Sequence, residues 1–172
     1  MALGQIFLFV VLISEVGAFS WSNCGGSTPI NVKEINLSPQ PIPLAEGANI
    51  KFSGKFKLDS TTGTQYKLRL SLWTKGWFSM WIPIPCPKCD QDVKCSDIAV
   101  FLQGATCPLP SKEYVVEERS FHLSNLPGFL TALVPEGDYC VKAKLLDKGS
   151  NKPVACVEAY PQITKTKPSG EL

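Results

Sequence analysis

Between residues 50 and 72 hydrophobic and polar side chains alternate with a period of two. Ile50, Phe52, Phe56 and Leu58 stand against Lys51, Ser53, Lys55 and Lys57, with Gly54 on the apolar side. After Asp59-Ser60-Thr61-Thr62-Gly63 the pattern resumes, with Tyr66, Leu68, Leu70 and Leu72 against Gln65, Lys67, Arg69 and Ser71. Successive side chains of an extended chain point to opposite faces, so each run has one buried and one wet side. The two runs together predict an antiparallel hairpin with a basic outer face. Tyr139, Val141, Ala143 and Leu145 against Cys140, Lys142 and Lys144 predict another strand, which the turn residues 147–151 reverse into 154–163. Shorter strands are predicted at 30–37, 77–84, 114–118 and 120–123. One segment has helical spacing: Cys95, Ile98, Ala99, Phe101 and Leu102, stopped by Gln103-Gly104.

About eight strands and one short helix make the class all-β, in a single domain. The alternation alone leaves two arrangements open: two packed sheets, or a curled sheet around a cavity. Gly54 on the inward side favours bending or open space there. Two segments break the usual rule that turns are polar. Gly76-Trp77-Phe78-Ser79-Met80-Trp81 and Leu126-Pro127-Gly128-Phe129-Leu130-Thr131-Ala132-Leu133 place large apolar groups beside glycine and proline. Exposed apolar groups of this size mark a surface that meets lipid or another apolar partner. The bland alternative is a lid buried over a solid core.

The chain opens with an apolar run at 6–13, followed by Ser14-Glu15-Val16-Gly17-Ala18. Eight apolar residues fall short of the about 20 that span a bilayer, but they suit a signal peptide cleaved after Ala18. The expected domain is then 19–172, or 172 − 18 = 154 residues. Glu15 is the only charge in the leader, so 17 basic and 14 acidic residues remain, a net +3. That excess is too mild to argue for nucleic acid. It is compatible with transient contact with an anionic membrane surface.

All seven cysteines follow the leader, and an oxidising route makes disulfides the first reading. Cys86-x2-Cys89-x5-Cys95-x11-Cys107 also has the look of a zinc site, and Cys86-Pro87-Lys88-Cys89 that of a redox motif. Secretion weighs against the first, and the missing strand-to-helix context against the second. Seven is odd, so one thiol is unpaired or pairs between molecules. Asn36-Leu37-Ser38 is a glycosylation sequon. The single histidine, His122, lies in a predicted strand, and no Gly-x-Ser-x-Gly elbow exists. No catalytic residue, cofactor or metal is assigned.

Several motifs together resemble one family. Phe19-Ser20-Trp21-Ser22-Asn23-Cys24 and Trp81-Ile82-Pro83-Ile84-Pro85-Cys86 lead into the Cys89-x5-Cys95 spacing. Lys112-Glu113-Tyr114-Val115-Val116, the Leu126–Thr131 loop and Gly137-Asp138-Tyr139 follow in the same order. Over 19–163 this is similar to the ganglioside activator family of the lysosome, related to lipid-recognition (ML) domains. The resemblance implies a disulfide-stapled antiparallel β-cup, a single curved sheet around an apolar cavity. It implies a non-catalytic protein, secreted or in the lysosomal lumen, that extracts a lipid or glycolipid from a membrane. Such a protein can present the lipid to a lysosomal glycosidase.

The family's apolar entrance loops correspond here to Trp77, Phe78, Met80 and Trp81 and to Phe129, Leu130 and Leu133. Its disulfides imply Cys24–Cys156, Cys86–Cys89 and Cys95–Cys107, with Cys140 left as the odd thiol. The family has one further pair that this chain lacks. A sterol, fatty-acid or microbial-lipid carrier without an enzyme partner is the nearest alternative. A solid β-sandwich acting as an extracellular interaction protein is the more distant one.

Overall fold

The alternating segments do form strands, but they pair differently from the hairpin that their closeness in sequence predicts. A computed structural model describes residues 19–87, 89–102, 105–123 and 134–165. The predicted leader, 1–18, and the apolar segment 124–133 lie outside the described residues. Among the described residues eleven strands and one helix run in the order β1 (Ser20–Asn23), β2 (Ile30–Ser38), β3 (Ile42–Pro43), β4 (Ala48–Leu58), β5 (Gln65–Lys75) and β6 (Trp81–Ile84). There follow β7 (Asp90–Lys94), α1 (Cys95–Ala99), β8 (Glu113–Leu123), β9 (Gly137–Asp147), β10 (Pro153–Tyr160) and β11 (Gln162–Thr164). Among the described residues no helix is long and apolar enough to cross a membrane.

β4 pairs with β2 and β8 in a three-stranded antiparallel sheet. β5 belongs to the other, eight-stranded sheet, where it pairs with β9, β6 and β7. The residues between β4 and β5 therefore cross from one sheet to the other, and the expected hairpin is wrong. Alternation tells which face of a strand is buried, not which strand lies beside it. The apolar faces of β4 and β5 look at each other across the interior instead of lying side by side. The implied single sheet is thus two sheets, antiparallel throughout except where β11 runs parallel to β3.

Other expectations shift for local reasons. The predicted strand at 77–84 begins with a 3-10 turn, Trp77–Ser79, and only Trp81–Ile84 is extended. The segments 114–118 and 120–123 are one strand, β8, interrupted by a bulge: Phe52 faces Arg119 and Gly54 faces Val116, so two residues of β8 oppose one of β4. At Gly54 a Cβ would come within 2.9 Å of the Glu34 carbonyl oxygen, which explains the glycine on an otherwise apolar row.

The basic outer face is largely neutralised across the strands. Lys51 pairs with Glu118, Lys55 with Glu34, Lys57 with Asp59, and Lys67 and Arg69 with Asp90. Each pair is exposed and individually contributes little stability, but together they remove the basic field that the lysine pattern predicts.

The connected cluster of buried side chains lies at one end of the molecule. Leu58 closes β4, Tyr66 opens β5, and Leu109, Leu102 and Cys95 pack around them with Ile30 and Tyr114. At that end the Tyr66 hydroxyl donates to the Gly63 carbonyl at 2.6 Å. A seam joins the edges of the two sheets. The Asn23 amide at the end of β1 donates to the Val32 carbonyl at 2.8 Å and accepts from the Val32 N–H at 3.0 Å. It thereby satisfies both backbone groups of a residue at a bulge in β2.

Three disulfides lie in the described residues: Cys24–Cys156, Cys86–Cys89 and Cys95–Cys107, the pairs that the resemblance implies. These four cysteines of the zinc and redox readings are therefore cross-linked. Cys24–Cys156 ties β1 to β10 across 132 residues of sequence. Replacing both by serine is expected to lower the unfolding free energy by about 3–5 kcal/mol, the chain-entropy effect of so long a loop. Denaturant titration of variant and parent checks this.

Candidate functional site

Away from the packed end, the inward rows of both sheets remain incompletely covered. On β5, Leu68, Leu70 and Leu72 follow the buried Tyr66 on the same face, and all three are only half-buried. Opposite them on β9, Ala143 and Val141 are half-buried too, while Leu145 packs against the buried cluster. Val32, Ile35 and Leu37 of β2, and Ile50 of β4, repeat the pattern in the smaller sheet, while Phe52 packs against the buried cluster. Tyr139 and Ala48 are fully buried exceptions. Two sheets packed face to face at native density leave few gaps between their inner rows. Hydrocarbon rows that face each other and stay accessible line open space instead.

The open end carries the first apolar loop. Lys75 pairs with Trp81 at the top of β5 and β6, and five residues make the turn, closed by Gly76 N–H donating to the Met80 carbonyl at 2.8 Å. A Cβ at position 76 would meet the tip of the Ile82 side chain, which would have to turn aside. Phe78 and Ser79 both adopt left-handed backbone, with φ of 62° and 59°. For a bulky side chain this conformation costs about 1 kcal/mol. Nothing is gained inside the protein in return: Trp77 is 89% exposed and Phe78 91%, with Met80 at 62%. Burying three such side chains releases about 5 kcal/mol in all.

Trp81 is set apart from its neighbours. Register places it on the row of Lys75 and Pro83, the convex side, while Ile82 and Ile84 face inward. Its ring meets that of Tyr160 at 5.9 Å and it is 41% exposed. Phe129, Leu130 and Leu133 fall in 124–133, outside the described residues. That segment leaves β8 at Leu123 and enters β9 at Gly137, both at the open end.

Cys140 is free and buried, on the convex row of β9, with Sγ 3.7 Å from Glu158 Oε1. Burial first, and then the Glu158 charge, push its thiol up. The Tyr160 hydroxyl donates to Glu158 at 2.6 Å, and that bond first holds Tyr160 up at about 12. An inert thiol follows. Asn36 is exposed on the outer row of β2, its amide donating to Glu34 at 2.7 Å. His122 is exposed on the convex row opposite Asn49. Among the described residues no group of metal-binding side chains converges.

Several carboxylates are held below their usual range. Donation from Asn36, then the Lys55 pair, lowers Glu34; the Lys148 ammonium lowers Asp92. Backbone and then hydroxyl donation from Ser150 lowers Asp147, and Tyr160 followed by Lys142 lowers Glu158.

The family comparison matches this architecture. A family model described as the ML domain matches residues 18–163. The chain belongs to the ML-domain family. A curated relative is the ganglioside GM2 activator of Mus musculus, 28% identical over 108 residues, which is 59% of this chain. The chain spans about half the length of that relative, 54%. Among solved structures, a Niemann-Pick type C2 protein from Japanese carpenter ant is similar over 84% of this chain and 99% of its own. Its TM-score is 0.47 at 16% identity. The C-terminal domain of wzt is similar over 88% of this chain and 81% of its own, at TM-score 0.44 and 9% identity.

Glu34, Asp92, Asp147 and Glu158 each have a folded pKa below the unfolded one. Their stabilisation is intact above the unfolded carboxylate range, about pH 4, and is lost as pH falls through the folded values. The melting temperature of this ML domain should therefore change little from about pH 7 to pH 5 and drop below about pH 4. Thermal unfolding followed by circular dichroism across that range is the check.

Proposed function

We propose that this ML-domain protein is a carrier, not an enzyme. It lifts a lipid or glycolipid from a membrane, holds the hydrocarbon chains between its two sheets, and offers the headgroup to a glycolipid hydrolase. The observation that carries this reading is the pairing of half-buried hydrocarbon rows inside with fully exposed aromatics at the open end. Trp77, Phe78 and Met80 enter the bilayer interface, joined by Phe129, Leu130 and Leu133 from the second loop. Lipid chains then exchange one apolar surrounding for another, a nearly neutral step. What the interior spares them is water, at about 0.8 kcal/mol per methylene.

Family membership and the name of the ganglioside GM2 activator support the lipid and the hydrolase cofactor role. The apolar run at 6–13, read as a signal-peptide core, supports a secreted protein or one in the lysosomal lumen. The exposed Asn36 is the candidate glycan acceptor.

Vesicle-to-vesicle transfer of a fluorescent lipid tests the loops. Trp77→Ala with Phe129→Ala should slow transfer about tenfold or more while leaving the melting temperature nearly unchanged. Phe78→Gly should also slow transfer, yet raise stability by about 1 kcal/mol, because glycine adopts φ near 60° without strain. Equal transfer by parent and variants rejects the loop assignment. Adding a hydrolase and micellar glycolipid then separates a cofactor, which raises hydrolysis, from a plain carrier, which does not.

A further inference from the structure

One charged side chain stands among the hydrocarbon rows of the smaller sheet. All other inward positions of β2, β4 and β8 are aliphatic, aromatic or glycine, but at Phe52 the facing residue on β8 is Arg119. The bulge at Glu117–Glu118 puts it there. Tyr114 and Val116 face inward before the bulge, and strict alternation from them would turn Glu118, Ser120 and His122 inward. The extra residue instead turns in Arg119, Phe121 and Leu123. Bulges re-aim side chains in this way beside binding sites.

Arg119 is not neutralised within the protein as the lysines of the convex face are. Among the described residues its hydrogen bond, 3.2 Å, goes from Nη2 to the Val100 carbonyl, and its guanidinium lies 5.4 Å from the Phe101 ring centre. No carboxylate pairs with it among the described residues. The guanidinium has five N–H donors in a planar fork, so most remain available for an oxyanion. Around it lie exposed apolar groups: Phe101, Val100 and, two residues along the same row, Phe121. β8 is an edge strand, and Arg119 is half-buried, so a ligand reaches it from the flank of the open space.

We propose that Arg119 binds the oxyanion of an amphipathic lipid headgroup, a sulfate, phosphate or carboxylate, whose hydrocarbon chains occupy the interior. This deepens the carrier reading and rests on it. A cation held among apolar side chains and stacked on one aromatic ring binds an anion more strongly than the same group in open water. Arg119 is therefore a specificity-determining residue that favours anionic lipids over neutral ones with the same chains.

Sulfatide and galactosylceramide differ in one sulfate and test this directly. The protein is incubated with phosphatidylcholine vesicles holding small equal fractions of both, and bound lipid is read by native mass spectrometry. The parent should carry sulfatide over galactosylceramide by at least about tenfold. Arg119→Gln, which removes the charge but keeps a polar side chain, should lose that preference while still taking up galactosylceramide, and Arg119→Lys should keep part of it. Uptake of galactosylceramide by the glutamine variant also certifies its fold.

Equal preference in parent and variant, or none in the parent, overturns the assignment of Arg119 while leaving the carrier reading standing. Uptake of neither lipid by the parent overturns both. Inorganic sulfate provides the remaining arm. Arg119-dependent protection from unfolding by sulfate, without any preference for sulfatide, means that the site takes a free anion and overturns the headgroup assignment.

Discussion

The two sheets are held together at one end, by the cluster in which Leu58 and Tyr66 are almost fully buried. That location follows from the chain path. β4 ends and β5 begins there, β8 starts there, and the Cys95–Cys107 disulfide pins the short helix against the same residues. Buried area concentrated in one place can secure two sheets, because side chains of this size each contribute about 1.5–3 kcal/mol when removed from water. The Asn23–Val32 seam and the Cys24–Cys156 bridge then hold one pair of sheet edges together. Among the described residues nothing comparable joins the leucine rows of β5 to the opposite sheet, so they stay half-covered. The open interior depends on the packed end being sufficient by itself.

How much of this was legible in the sequence depended on whether the signal was local. The faces of β4 and β5 could be read because period-two alternation is a property of neighbouring residues. Their partners could not, since β4 lies beside β8, more than fifty positions away along the chain. Four short strands, β1, β3, β7 and β11, have too few residues to show any period. Lys51, Lys55 and Arg69 looked like a basic face because their acidic partners, Glu118, Glu34 and Asp90, sit on other strands. The bulge in β8 was invisible for the same reason: it exists only relative to the register with β4. It hid Arg119, which simple alternation from Val116 sends outward.

The apolar loop was legible because its composition is wrong for a turn. Its geometry was not, and the geometry sharpens what the composition implied. A flexible loop with two aromatics and a methionine next to an apolar interior would fold back and fill it. This loop has little freedom to do so. Gly76 N–H is tied to the Met80 carbonyl, and Phe78 is held in left-handed backbone.

The convex side completes the argument. Trp81 at the base of the loop lies outward against Tyr160, which is bonded to Glu158, which in turn pairs with Lys142 at 3.0 Å. These contacts anchor the turn from behind with polar and aromatic groups that take no part in the interior. A single tryptophan rotated inward would bring its own side chain into competition with any ligand for the leucine rows. Holding Trp81 outside while leaving Trp77 and Phe78 in water keeps the interior open and the loop's apolar area exposed. Both conditions raise the energy of the protein alone, and both are relieved by one class of partner, an apolar phase that supplies chains to the interior and a surface to the loop.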